Sequence, residues 1–124
     1  MGAQENKQTT EEAYRAFAAG DAEGAMRNID DSVTWTTRGD NALTGTRHGK
    51  QEVGELWGQL TGKSFSSQPH DFVADGDKVV VLTTVTLEGE TSENADVLTY
   101  NGEGKLIAFD TLGDPAAGNR AFPK

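Results

Sequence analysis

Between Asp75 and Pro115 the sequence allows little besides strands joined by tight turns. Lys78–Glu88 contains the run VVVLTTVTL, whose β-branched residues suit a pleated, half-buried surface. Asp75-Gly76-Asp77 reads as a hairpin turn before it, and Gly89 turns the chain into a second run, Thr91–Tyr100. Asn101-Gly102-Glu103-Gly104 then leads into a third run. Asn-Gly is a strong hairpin signal because both central positions of the tight turn call for positive φ. Gly113-Asp114-Pro115 ends the pairing, since proline has no N–H to donate. Within this meander Asp96 stands two residues before Leu98, so the acid and the leucine share one strand face.

The chain before the meander reads mostly as helix. Thr9 or Thr10 can cap a helix that runs to about Ala19, with Glu12 completing a capping box after Thr9. Residues 1–8 are then a flexible tail. Ala13, Tyr14, Phe17 and Ala18 form the apolar face, and Gly20 ends the helix. Asp21 caps a short second helix bearing Ala25, Met26 and Ile29. Ser32–Arg38 alternates Val33, Trp35 and Thr37 against polar partners, which is a strand pattern. Leu43–Thr46 reads as a very short strand. A third helix runs from Lys50 to about Leu60, with Val53, Leu56, Trp57 and Leu60 at helical spacing. Ser64–Ala74 is extended and polar with Pro69 inside, as in an edge or bulged strand. Helices grouped ahead of a meander predict an α+β fold in a single domain spanning residues 1–124, with 118–124 as a second flexible tail.

Composition narrows the function classes. The formal net charge is −9, which argues against nucleic-acid phosphate as a partner. There is no cysteine, so there is neither a disulfide framework nor a thiolate nucleophile. No apolar run approaches the roughly 20 residues that span a bilayer. The polar start MGAQENKQTTEE has no apolar core of a signal peptide, which fits a cytoplasmic protein that does not use a membrane. The histidines and acids show no metal-ligand spacing, and Asp75-Gly76-Asp77 lacks the pattern of a calcium loop, so no metal is expected.

The segments AFAAGDAEGAM, DDSVTW, LTGTRHGKQEVGELWGQL, GDKVVVLTTVTLEG, NGEGKLIAF and GDPAA, in that order, resemble the NTF2-like superfamily. Within it the chain looks most like SnoaL-like and ketosteroid-isomerase-like proteins. The resemblance covers roughly Thr9 to Ala117. It implies a cone-shaped curved antiparallel sheet packed on three N-terminal helices, with an apolar pocket between sheet and helices. It also implies a homodimer formed through the sheet, a small apolar carbonyl compound of steroid or polyketide type as partner, and no cofactor. The fold hosts isomerases, cyclases, dehydratases and non-catalytic binders, so the family alone fixes no reaction.

In ketosteroid isomerase a carboxylate base works beside an oxyanion hole made of a tyrosine and a protonated acid. By the resemblance, Asp96 falls at the position of that protonated acid, and Tyr14 lies on the helix of the tyrosine. The position of the base holds Thr36. The acid–arginine–acid relay of limonene epoxide hydrolase would need charges where Leu82-Thr83-Thr84-Val85 stand. Asp96, Asp110 and Tyr14 are therefore the catalytic candidates, with Asp110 either an acid–base partner or one half of an ion pair with Arg38, Arg47 or Arg120. Phe17, Trp35, Trp57, Leu98 and His48 are the ligand-binding candidates. Each aromatic also reads as plain core packing, and Asp96 also reads as a surface acid near Glu93 and Asn94. Isomerisation, cyclisation or dehydration by acid–base chemistry stands against a second reading, a binding or scaffold protein that kept the cone and lost the chemistry.

Overall fold

The computed structural model describes residues 2–124. Along the chain run α1 (Ala3–Ala18), α2 (Ala22–Met26), β1 (Ile29–Thr37), β2 (Gly45–His48) and α3 (Gly49–Thr61), then β3 (Ser66–Asp75), β4 (Lys78–Leu87), β5 (Glu90–Tyr100), β6 (Leu106–Gly113) and α4 (Ala116–Ala121). The strands form one curved sheet in the order β2-β1-β6-β5-β4-β3. The class is α+β.

The sheet is mixed, which corrects the all-antiparallel expectation. β1 runs parallel to β6, with Trp35 opposite Phe109 and Thr36 opposite Asp110. Parallel neighbours need a long crossover, and here everything between β1 and β6 supplies it. The β3–β6 meander is antiparallel throughout. β3 lies at the sheet edge and carries a bulge between Pro69 and Asp71, as its proline demands.

Strand alternation divides the sheet into two faces. On β4, Val79, Val81 and Thr83 are almost completely buried, whereas Leu82 is exposed. The inner face packs under α1 and α3, which bring in Tyr14, Phe17, Val53 and Trp57. None of the helices among the described residues is long and apolar enough to cross a membrane.

Three local expectations change. Residues 3–8, read as a tail, form the first turns of α1, and neither Thr9 nor Thr10 caps it. Asn6 and Thr10, one helical turn apart, face the sheet and are buried. The Thr10 hydroxyl donates back to Asn6 O at 2.7 Å and meets Tyr100 OH at 2.7 Å, so it serves packing rather than capping. Met1 of that tail lies outside the described residues. The second tail is also structured. Ala117 and Ala121 of α4 are buried, and Asn119 Oδ1 accepts from Asp40 N and Asn41 Nδ2, both at 2.9 Å.

The third change is the β5–β6 turn. Asn101 has no positive φ; the left-handed residue is Gly104, at φ +76°. Asn101 Oδ1 accepts from Glu103 N at 2.9 Å and Lys105 N at 3.0 Å, folding the loop around the side chain. This larger loop, with an irregularity between Thr99 and Tyr100, sets Asp96 opposite Thr111.

Candidate functional site

A cavity of about 200 Å³ lies between the inner face of the sheet and helices α1 and α3. Both tryptophans and both tyrosines of the chain line it, together with Phe17, Phe65 and Phe109. The rings brace one another. Trp35 stacks on Phe109 with centroids 3.8 Å apart and planes 10° from parallel. Trp57 meets Trp35 edge-on at 5.7 Å and Phe17 at 5.1 Å. The wall also follows β5, where Asn94, Asp96, Leu98 and Tyr100 recur with period two. These residues span about 20 Å of strand.

Asp96 is 6% exposed and is the acid in this wall. Tyr14 OH donates to its Oδ2 at 2.5 Å, and Thr111 Oγ1 donates to its Oδ1 at 2.7 Å. Register explains both contacts. Val81, Asp96 and Thr111 form one row across three strands, and α1 crosses above it. The Tyr14 ring is held edge-on by Phe72 at 5.7 Å. Burial raises the pKa of Asp96, opposed by the hydrogen bonds from Tyr14 and Thr111. Tyr14 is pushed well above the usual phenol value, first by burial and then by the Asp96 charge and hydrogen bond. The pair is built to stay unionised more readily than free side chains would.

Tyr100 extends the polar wall. Thr10 spends its single proton on Asn6 O, so the bond between Thr10 and Tyr100 is donated by the Tyr100 hydroxyl. Tyr100 therefore presents acceptor lone pairs, not a proton, to the cavity. Burial raises its pKa, with the Thr10 contact opposing.

The structure gathers Tyr14, Phe17, Trp35, Trp57, Asp96 and Leu98 around the cavity. It excludes two expected members. Asp110 lies on the outer face, because neighbours in a strand point to opposite sides and Thr111 takes the inner place. Its carboxylate accepts from Arg38 Nε at 2.9 Å and Nη2 at 2.6 Å, which holds its pKa below the ordinary carboxylate value. The ion-pair reading with Arg38 is the one realised. His48 is exposed at the N-cap of α3, where its backbone N–H donates to Glu52 Oε1 at 2.8 Å. It stands at the helix start, where Glu52 rather than its imidazole makes the capping contact, and it does not line the cavity.

Thr36 also faces outward, with its hydroxyl 3.2 Å from that of Thr46. The inward neighbours are Trp35 and Thr37, so neither side of β1 brings a base to Asp96. Thr111 and Phe109 were missed from sequence. The signal for Thr111 is strand parity, which places it on the face opposite Asp110. The signal for Phe109 is absent, since its contact with Trp35 depends on the non-local β1–β6 pairing. Among the described residues no three His, Asp or Glu side chains converge in a way that could hold a metal ion.

A SnoaL-like domain model matches residues 10–109, most of the chain. The chain belongs to the SnoaL-like family. Among solved structures it is similar to Bal32a from a soil-derived mobile gene cassette, at 21% identity over 97% of this chain and 98% of that one, with a TM-score of 0.89. An NTF2-like protein of unknown function from Burkholderia pseudomallei is 27% identical, over 96% and 98% of the two chains, with a TM-score of 0.83. TerC, co-crystallised with polyporic acid, is 24% identical over 94% and 96%, with a TM-score of 0.81. Among curated protein sequences none matches the chain. The SnoaL-like family and fold are thus established.

Proposed function

We propose that this SnoaL-like protein takes a small, largely apolar carbonyl compound of steroid or polyketide type into the aromatic cavity and carries out proton transfer on it. The observation that supports this is the buried Tyr14–Asp96 pair set in an otherwise aromatic wall. A carboxylate next to a bound carbonyl can take a proton from the adjacent carbon. The C–H electron pair then passes into the enolate, and the same carboxyl returns the proton to another position. Tyr14 is the hydrogen-bond donor at hand for the developing oxyanion, because protonating Asp96 weakens its claim on the phenol. Double-bond isomerisation and ring closure by aldol chemistry both fit one carboxyl and one phenol, and neither needs a cofactor. The co-crystallisation of TerC with polyporic acid supports a flat, oxygenated guest in this fold.

A second reading, a binder without turnover, is favoured by one observation: Asp96 has no second carboxylate or histidine beside it in the cavity wall. One experiment separates the two. Trp35 and Trp57 are the chain's tryptophans and both face the cavity, so a guest changes their emission. Saturable quenching by a steroid enone or a hydroxyanthraquinone is expected, weakened in Asp96→Asn. Exchange of the guest's α-hydrogens in D2O, lost in Asp96→Asn, marks the catalyst. Quenching without exchange marks the binder, and no quenching by either guest overturns the pocket reading.

We also propose self-association through the outer face of the sheet. Leu82, Ala95 and Leu112 form one row across β4, β5 and β6; on β3 Asp71 continues the row and Val73 lies two residues further along. Leu82, Leu112 and Val73 are 44%, 45% and 54% exposed, an apolar band that a monomer leaves in water. A dimer by sedimentation, dispersed by Leu82→Lys, is the expected result.

A further inference from the structure

We infer that the same cavity also binds hydrophobic amines in their cationic form, with Asp96 as the counter-ion. This goes beyond the carbonyl reading and concerns a second class of guest.

The argument begins with charge. The cavity wall contains no lysine, arginine or histidine among the described residues, and it contains one carboxyl. Outside the cavity Arg38, Lys50 and Arg120 form ion pairs with Asp110, Asp31 and Glu90. Both oxygens of Asp96 accept hydrogen bonds from hydroxyl groups, which is how a carboxylate is solvated inside a protein. Two hydroxyl groups ease the negative charge but do not neutralise it, and a buried charge without a counter-charge is costly. Burial raises the pKa of Asp96, so protonation relieves part of that cost. A ligand that brings its own positive charge relieves it while the carboxylate stays ionised.

The rest of the wall suits such a ligand. Aromatic faces carry negative potential and attract ammonium groups, most strongly where water is excluded. Trp35 and Trp57 meet at 72°, with Phe17 edge-on to Trp57, so faces of differing direction surround the space. Tyr14 and Tyr100 are the other titratable groups lining the cavity, and both are shifted toward the neutral phenol. Tyr100 offers acceptor lone pairs, which add to the attraction for an N–H donor. The net charge of −9 gives the whole molecule a field that draws cations and repels anions. An alkyl or aryl amine therefore finds an apolar container, aromatic faces and one carboxylate.

The test uses four probes on one naphthalene skeleton: the methylamine, the methyl-trimethylammonium, the methanol and the carboxylate. Binding is read from tryptophan quenching at a pH where free carboxyls are ionised. The two cations are expected to bind about tenfold more tightly than the alcohol, and the carboxylate more weakly than either. Asp96→Asn is expected to erase the cation preference while the alcohol still binds. Thr111→Val, which removes one hydroxyl from the carboxylate, is expected to reduce the preference even if Asp96→Asn proves unstable. Calorimetry of the trimethylammonium probe in buffers of different ionisation enthalpy should show protons released at pH values where Asp96 is protonated. An alcohol that binds as tightly as the cations overturns the inference, as does a preference that survives both substitutions. Failure of the steroid or anthraquinone guests alone would overturn the carbonyl reading and leave this one standing; failure of all probes would overturn both.

Discussion

Asp96 and Asp110 sit on adjacent strands of one sheet and have opposite fates. Asp96 faces inward, is buried, and is met by a phenol and a hydroxyl. Asp110 faces outward, stays half-buried, and is met by a guanidinium in two parallel hydrogen bonds. Burial pushes the first pKa up, and the arginine pulls the second down. The difference shows that what a carboxyl can do is fixed by the face to which strand parity assigns it. An inward acid with a raised pKa is suited to taking up and returning a proton, whereas an outward acid with an arginine serves as a clasp.

Four tests sharpen that contrast, beginning with the largest expected effect. Leu98→Ala on the inner face should cost about 2–5 kcal/mol, because it leaves a hole in a wall that is already part cavity. Leu112→Ala, on the outer face of the next strand, should stay within about 0.5 kcal/mol at concentrations low enough to keep the chain monomeric. Urea unfolding of both variants reads the gap, and equal losses would show that the faces are not distinct. Tyr14→Phe should cost about 1–3 kcal/mol, since it leaves a buried carboxyl short of one donor. The same variant should raise the Asp96 pKa further, which a carboxyl 13C titration would detect.

The pH dependence should carry opposite signs for the two acids. Asp96 has a folded pKa raised above its ordinary 3.8. Its neutral form thus favours the fold, and that contribution is complete below the unfolded pKa and lost as pH climbs through the folded pKa. Asp110 has a folded pKa lowered from 3.8, so its contribution is present above the unfolded pKa and lost as pH falls through the folded one. Melting temperatures between about pH 2 and about pH 7 should flatten on the alkaline flank in Asp96→Asn and on the acid flank in Asp110→Asn. The smallest effect belongs to Arg38→Gln. It should lower the melting temperature less than Tyr14→Phe does, and high salt should shrink the difference, because the pair is open to water.

Local chemistry made the meander legible: the β-branched run of β4, the glycine turns and the proline stop left few alternatives. The α3 stripe of Val53, Leu56 and Trp57 was equally plain, and all three are buried. Asp96 could be placed on the inner face because it shares parity with Leu98. What escaped depends on contacts between distant segments. Thr10 looks like a helix cap until Tyr100 is brought against it, and Asn101-Gly102 looks like a two-residue turn until Lys105 is drawn to the asparagine side chain. Asp110 shares strand parity with Ala108 and Leu112, and two apolar neighbours on one face point by themselves to an inward side chain. Leu112 is itself exposed, so apolar company did not mark the core side.

The parallel pairing of β1 with β6 has a consequence for how the molecule comes into being. The meander closes through short loops and can form early, whereas Trp35 must wait for Phe109, far along the chain, to complete the stack. During synthesis the aromatic wall cannot be assembled until β6 has left the ribosome. Until then Trp35 lacks its stacking partner Phe109. The ring lining of the cavity is therefore expected to be completed late in folding, and a refolding chain should regain its sheet signal before its tryptophan emission reaches the native value.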